Sequence, residues 1–351
     1  MKKENLIKKF IELAEKGILP DVLIRMGIRR LNRKRLKAEN RRDIESQRFA
    51  IQRFIEDMKE APIAISTDKA NIQHYELPSS FFSKVLGKHM KYSGDFWKPG
   101  VDSLDQAETD MLALISERAL LENGINILEL GCGWGSLTLW MAAHYPRSQI
   151  VAVSNSNSQR KFIQNLCVER KIDNVEVITR DMNDFSTDRH FDRIVSVEMF
   201  EHMRNWEKLL ERISNWLTPE GKLFIHIFTH KQFAYTFEPE GDDNWMGRFF
   251  FTGGMMPSDD LLLYFQKDLI LEAHWRLNGK HYQKTAKAWL KNLESHRKEI
   301  MPILEEVYGT PNASRWFQRW RIFFIACEEL WGYENGQEWL VSHYRLKNRL
   351  Y

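Results

Sequence analysis

An α/β fold with a Rossmann-like, doubly wound core is predicted by three features of the 351-residue sequence. Apolar strand-length runs alternate with helical stretches between residues 125 and 230, and the connections are too long for hairpins. A glycine-rich loop directly follows the first run. Around this core the sequence places a helical N-terminal extension over residues 1–70, a lid and lead-in helix over 71–124, and an α/β substrate cap that completes the core over 231–351.

The elements follow in order. Leu6, Ile7, Phe10, Ile11 and Ala14 form one helical stripe, and Val22, Leu23, Met26 and Leu31 a second, so the extension is read as amphipathic helices with these residues inward. Strands are expected at 125–130, 150–153, 175–178, 194–197 and 222–228. Helices are expected at 136–145, 156–170 and 206–217, the last closed by Thr218-Pro219-Glu220-Gly221. Beyond residue 230 the chain turns aromatic and irregular through Phe233, Tyr235, Phe237, Trp245, Phe249, Phe250 and Phe251, as a stretch covering a pocket does. Helical spacing resumes at 284–307 and 314–330, and a last strand is expected at 339–344.

Composition excludes several classes. A net charge of +3 is too small to argue for nucleic acid. Nine Lys or Arg against Glu39 alone lie between Arg25 and Arg42, but without the aromatic interleaving of an RNA-binding module they read first as a solvated helix face and second as a membrane-docking face. Three separated cysteines fit neither a disulfide framework nor a metal site. No run approaches the ~20 apolar residues of a membrane span. A cytoplasmic protein without metal is expected, with a homodimer allowed.

The loop Gly131-Cys132-Gly133-Trp134-Gly135 follows a strand and opens a helix, which brings backbone N–H groups beside a ligand at the carboxyl edge of the sheet. Alone, this spacing also describes a tight turn. Glu129 lies two residues ahead of it, and a carboxylate there suits a cationic, amino-acid-bearing cofactor better than a pyrophosphate. Asn155 ends the second strand where a ribose-binding acid is expected, and Asp181 and Met182 follow the third where an adenine would lie. Asp181 reads equally as a helix N-cap.

With Val153-Ser154-Asn155-Ser156-Asn157-Ser158-Gln159 and Phe200-Glu201-His202-Met203, the glycine loop resembles the cyclopropane-fatty-acid-synthase superfamily of S-adenosylmethionine-dependent transferases. His74-Tyr75-Glu76-Leu77-Pro78 and Lys91-Tyr92-Ser93-Gly94 look like its lid segments, and the similarity spans about residues 70 to 348. Glu198-Met199-Phe200-Glu201-His202-Met203 is closer to the coclaurine N-methyltransferase group, because the lipid enzymes commonly carry glycine where Glu198 stands. The resemblance implies S-adenosylmethionine contacts at Tyr92, Ser93, Gly131, Gly133, Asn155, Gln159, Asp181 and Met182. It also implies a substrate site at Tyr75, Glu76, Glu198, Glu201, His202, His226 and Tyr282, closed by the aromatic cap. The lipid branch's bicarbonate site is partly matched by Glu201, His226 and Tyr282, with Gly94 at its cysteine position.

Glu198, Glu201 and His202 cluster after a buried strand, at the edge where α/β sites lie. An amine is mostly protonated at neutral pH and attacks only as the free base. His202 or Glu201 is therefore the expected proton acceptor, and Glu198 and Glu76 the expected holders of the cation. At a helix start, Glu201 and His202 also serve the helix dipole, which is the bland alternative. Tyr235, Trp245 and Phe249 are candidate ammonium-binding faces, each with core packing as the competing reading. His226 and His230 alternate with apolar residues, and His226 is expected to face the site. The expected function is N-methylation of a small aromatic or heterocyclic amine. The alternative is a lipid transferase making cyclopropane or methyl-branched chains on unsaturated phospholipid at a membrane surface.

Overall fold

The computed structural model describes residues 2–65, 77–238, 240 and 244–349, with side chains from residue 8 onward. Tyr75 and Glu76 lie outside the described residues. Three helices open the chain, α1 (Lys2–Glu15), α2 (Asp21–Glu39) and α3 (Ile44–Glu60), followed by α4 (Ser79–Val85) and α5 (Leu104–Arg118). The core alternates β1 (Asn126–Leu130), α6 (Ser136–His144), β2 (Gln149–Ser154), α7 (Asn157–Arg170), β3 (Val175–Thr179), β4 (Phe191–Val197), α8 (Trp206–Trp216) and β5 (Leu217–His230). The cap carries β6 (Tyr235–Thr236), α9 (Trp245–Phe249), β7 (Met255–Met256), β8 (Leu269–Leu277), α10 (Lys280–Ser295), α11 (Arg297–Tyr308), α12 (Thr310–Trp331) and β9 (Trp339–Asn348).

Among the described residues, seven strands form one mixed sheet in the order β3-β2-β1-β4-β5-β9-β8. β1 to β5 run parallel, and β9 pairs antiparallel with both β5 and β8. The strand order reverses at β1, which opens a crevice at the carboxyl ends of β1 and β4. Alternation assigns the faces of β5: Leu223, Ile225 and Ile227 pack toward α3 and α8, while Phe224 and Phe228 pack toward α10 and α12. His226 shares the second face, as does His343 among Trp339 and Val341 of β9.

Five points differ from the sequence reading. Residues 284–307 form two helices that break at His296. The segment 218–221 is part of β5, not the turn expected after α8, and β9 runs on to Asn348. Strand β8 was not expected, because its half-buried sequence LILEAHWRL shows no clean alternation. The stripe on α2 faces outward: Val22 is 67% and Met26 59% exposed, and Ile24 is the buried residue.

Charge decides that orientation. Arg25 spans Glu328 and Glu329 of α12 at 2.7 Å each, and Arg29 pairs with Glu329. Arg321 reaches Asp21 at 3.0 Å, and Glu15 of α1 accepts from Arg319 at 3.1 Å. The extension thus docks on α12 through guanidinium–carboxylate forks, which are planar and bidentate. Arg25→Met should leave two half-sheltered glutamates facing each other. We expect thermal or urea denaturation to show a loss of about 1–2 kcal/mol, with α2 the first helix released in hydrogen exchange.

Candidate active site

Every parallel strand but the last contributes to one cleft of about 710 Å³. Gly131 and Gly133 come from the loop after β1, Val153, Ser154, Asn155 and Gln159 from the end of β2 and the start of α7, Arg180 and Met182 from after β3, and Glu198, Met199, His202 and Met203 from after β4. All three loop glycines have positive φ (83°, 53° and 81°), the left-handed region that side chains with a Cβ adopt at a cost. Their surroundings differ. A Cβ on Gly131 would meet Met199 at 2.8 Å and one on Gly135 would meet Ile163 at 2.6 Å, so these two glycines close the loop against β4 and α7. A Cβ on Gly133 would meet nothing within 4 Å, so this glycine opens onto the cleft.

Glu198 takes φ 47° without being glycine, a conformation that costs about 1–2 kcal/mol and persists where the surroundings over-determine it. Three donors do so. Its Oε1 accepts from the Gly94 N–H at 3.2 Å and faces His226 Nε2 at 3.4 Å, and its Oε2 accepts from the Tyr282 hydroxyl at 2.7 Å. Burial pushes this carboxyl above the usual carboxylate range, opposed by the buried ammonium of Lys91, which bonds to Ser93 Oγ at 2.7 Å and Gly94 O at 2.5 Å. Gly94 lets the Tyr282 ring come close, since a Cβ there would sit 3.0 Å from it.

His202 lies on the 3₁₀ turn Phe200–His202 and lines the cleft with Glu198. Burial depresses its imidazole to about 4, against the nearby Glu198 charge, so the ring is neutral at physiological pH. Glu201 differs. Burial and then the Glu198 charge push its carboxyl well above the usual range, and its Oε2 has no hydrogen-bond partner.

The cleft fits a cationic, amino-acid-bearing nucleoside cofactor by its own groups. It combines an open glycine at Gly133, a buried amide donor without a partner at Gln159 Nε2, and apolar Met182 and Val153 beside polar Asn155. Beneath the loop, Glu129 is fully buried with one bond from Thr138 Oγ1 at 2.5 Å, and burial pushes its carboxyl up to about 8. A cation nearby would restore that charge.

Other expected residues sit elsewhere. Tyr92 packs between Phe82 and Trp289, Ser93 holds Lys91, and the Asp181 carboxylate accepts from Asn183 N at 2.7 Å in a turn with no helix to cap; none of the three lines the cleft. The aromatic expectation is also displaced. Trp245 Nε1 donates to Glu15 at 2.9 Å, Phe249 lies under Arg319 at 4.0 Å, and the Tyr235 hydroxyl accepts from Trp339 Nε1 at 3.0 Å. Trp245 and Phe249 are committed to the docking of α1 and α12, and Tyr235 to Trp339 of β9. Phe251 lies 4.7 Å from His202 with the two rings tilted by 33°, and is backed by Phe237 at 4.9 Å and Phe228 at 5.7 Å. His226 lies with Nε2 3.4 Å from Glu198 Oε1, whereas His230 is locked by Glu338 at 3.0 Å and by the N–H groups of Gln232 and Phe233. Lys91 and Phe251 were missed as site residues. Lys91 had a signal in the lid segment that contains it, but nothing in sequence separates Phe251 from its aromatic neighbours.

The sheet order, with its antiparallel β9 and a glycine cleft at the switch point, defines a Rossmann-like transferase core. Residues 64–337 match the family described as mycolic acid cyclopropane synthetase. (S)-coclaurine N-methyltransferase of Thalictrum flavum subsp. glaucum is 36% identical over 99% of this chain and 97% of its own length, and pavine N-methyltransferase of the same plant is 35% identical over 99% and 98%. A crystal structure of coclaurine N-methyltransferase bound to N-methylheliamine and SAH superposes with a TM-score of 0.94 at 36% identity, covering 97% of this chain and 99% of that one. The chain belongs to the cyclopropane synthetase family and, within it, to the coclaurine N-methyltransferase branch.

The depressed imidazole of His202 has a consequence for stability. Between about pH 6.5 and 4 the unfolded chain binds a proton that folded His202 refuses, so stability is full above that window and drains as pH falls through it. His89, His230 and His281, also held at about 4, drain it in the same direction. His202→Asn should remove one proton's share. In urea denaturation at pH 7 and pH 4.5, its loss should be smaller than the native loss by on the order of 2 kcal/mol. Equal losses would place a charged imidazole in the native cleft.

Proposed function

We propose that this chain is an S-adenosylmethionine-dependent N-methyltransferase acting on a small aromatic or heterocyclic amine. The observation that carries the reading is the Glu198 carboxylate, held in a left-handed conformation beside a neutral His202 on the wall of the glycine cleft. Gly131, Gly133, Asn155, Gln159 and Met182 hold the cofactor, with Tyr92, Ser93 and Asp181 supporting the cleft from outside. The bound cofactor supplies an electrophilic sulfonium methyl.

Positioning and deprotonation are the chain's own tasks. Glu198 holds the substrate ammonium and the cationic product. His202 takes the amine proton, because its ring is neutral and the adjacent Glu198 charge makes it more basic. Glu201, pushed up by burial and by the Glu198 charge, is disfavoured as the anion. The Phe251 face beside His202 takes the role first assigned to Tyr235, Trp245 and Phe249.

Glu198 also weighs against the lipid chemistry. The Gly94 N–H, Tyr282 hydroxyl and His226 ring converge on the chain's own carboxylate, which fills the place an external anion would need. A carboxylate facing an acyl chain would be costly to bury. We further propose a cytoplasmic enzyme that binds no nucleic acid; the free thiols of Cys132, Cys167 and Cys327 support a reducing compartment. Labelled S-adenosylmethionine offered with amine and unsaturated-lipid panels, with and without bicarbonate, tests the reading by product mass. Methylated amine in both buffers is expected, and bicarbonate-dependent lipid product alone would overturn it.

Three variants sharpen this. Gly133→Val fills the open side of the loop, so calorimetry should show cofactor binding lost while the circular dichroism spectrum is kept. Glu198→Gly suits the left-handed backbone and deletes the carboxylate, and His202→Ala deletes the base. Each should cut turnover by about 10² or more with cofactor affinity little changed, and higher pH should partly rescue His202→Ala by supplying free amine.

A further inference from the structure

One row of side chains crosses the sheet from the site to its far edge. Val197 of β4 is in register with His226 of β5, His226 with His343 of β9, and His343 with Trp275 of β8. His226 and His343 project from the same face and are fully buried. Arg118, at the end of α5, lies over this row. Its guanidinium carbon is 5.0 Å from the Trp275 ring centre, Arg345 lies 5.4 Å from the same ring, and Arg345 Nη1 donates to Arg118 O at 2.8 Å.

The hydrogen bonds along the row have a forced direction. Arg118 Nη1 is 2.9 Å from His343 Nδ1, and a guanidinium has no acceptor, so Nδ1 accepts. His343 is neutral, its protonation disfavoured by burial, so its proton is on Nε2. Nε2 lies 2.9 Å from His226 Nδ1, which must therefore accept, leaving the His226 proton on Nε2, toward Glu198 Oε1 at 3.4 Å.

We propose that Arg118 and His343 are positioning residues for methyl transfer, a one-way donor chain that locks His226 in the tautomer donating to Glu198. Neither residue touches the cleft. The chain keeps Glu198 an oriented acceptor for the substrate cation. It also closes the interior route for protons, since Arg118 cannot take one up, so the amine proton must leave by the cleft side. Glu198 is faced as well by Lys91 and Asp95 of the loop before α5, Glu201 and His202 of the 3₁₀ turn, Tyr282 of α10 and Cys327 of α12. None of these constrains the His226 Nδ1 side.

The proposal deepens the methyltransferase reading and rests on it for the kinetic arm only. Long-range ¹H–¹⁵N spectra of the histidine-labelled full chain, with His226 assigned from His226→Gln, read the tautomer without substrate. The native ring should be the Nε2–H form. His343→Leu removes the donor and should shift His226 to the Nδ1–H form or a mixture. Arg118→Met, at a half-buried surface position, should mix the tautomers of both rings if His343→Leu fails to fold. His343→Gln, whose amide both donates and accepts, should keep the native signature. With the accepted amine, His343→Leu and Arg118→Met should lower kcat about tenfold at unchanged cofactor affinity and move the acid limb of the pH profile up by about one unit, with His343→Gln restoring both. A native Nδ1–H His226, or leucine and methionine variants with native tautomers and acid limb, would overturn the chain. Failure of every amine to react would sink the methyltransferase reading instead, while the spectra would still decide the tautomer.

Discussion

A carboxylate removed from water is stable only where donors surround it, and the arrangement of this protein's site follows from that requirement at Glu198. The Gly94 N–H, Tyr282 and His226 come from the lid loop, α10 and β5, and they meet only because the lid and cap close over the sheet edge. Lys91 adds the buried cation that opposes the desolvation of the carboxylate. The left-handed backbone at Glu198 follows as well, since the side chain is held from several directions and the main chain bends to deliver it. His226 O accepting from Glu198 N at 2.8 Å fixes that bend from the neighbouring strand.

Burial pushes up both carboxyls, three residues apart, but unequally. Glu198 has three donors and a nearby ammonium that oppose the rise, whereas Glu201 has an unpaired oxygen and the repulsion of Glu198, which adds to it. Neighbouring acids of the same type thus differ in how readily they carry charge. The buried imidazole of His202 completes the set, with Phe251 against its face.

The N-terminal extension supports the site indirectly. Glu15, Asp21 and Arg25 tie α1 and α2 to α12, and α12 packs on α10, which carries Tyr282. Those ties also consume Trp245 and Phe249, so the aromatic-rich cap is partly a docking surface between helices and only partly a wall of the cleft.

The sequence by itself determined the parallel core, the glycine loop and the cluster of Glu198, Glu201 and His202, because strand and helix periods and local spacing are properties of neighbours along the chain. The far edge of the sheet was legible only in part: β9 could be read from its apolar run, but β8 could not, since an edge strand half-buried on each face carries no alternation. Orientation was likewise beyond reach. The apolar stripe of α2 predicted its inner face, and the structure chose the face bearing Arg25 because α12 presents Glu328 and Glu329 there. Which aromatics reach His202, and that Lys91 lies beside Glu198, depended on packing between segments distant along the chain. Only the tertiary structure decided the proton states, because burial and the number of converging donors set them, and neither is a property of the chain read in one dimension.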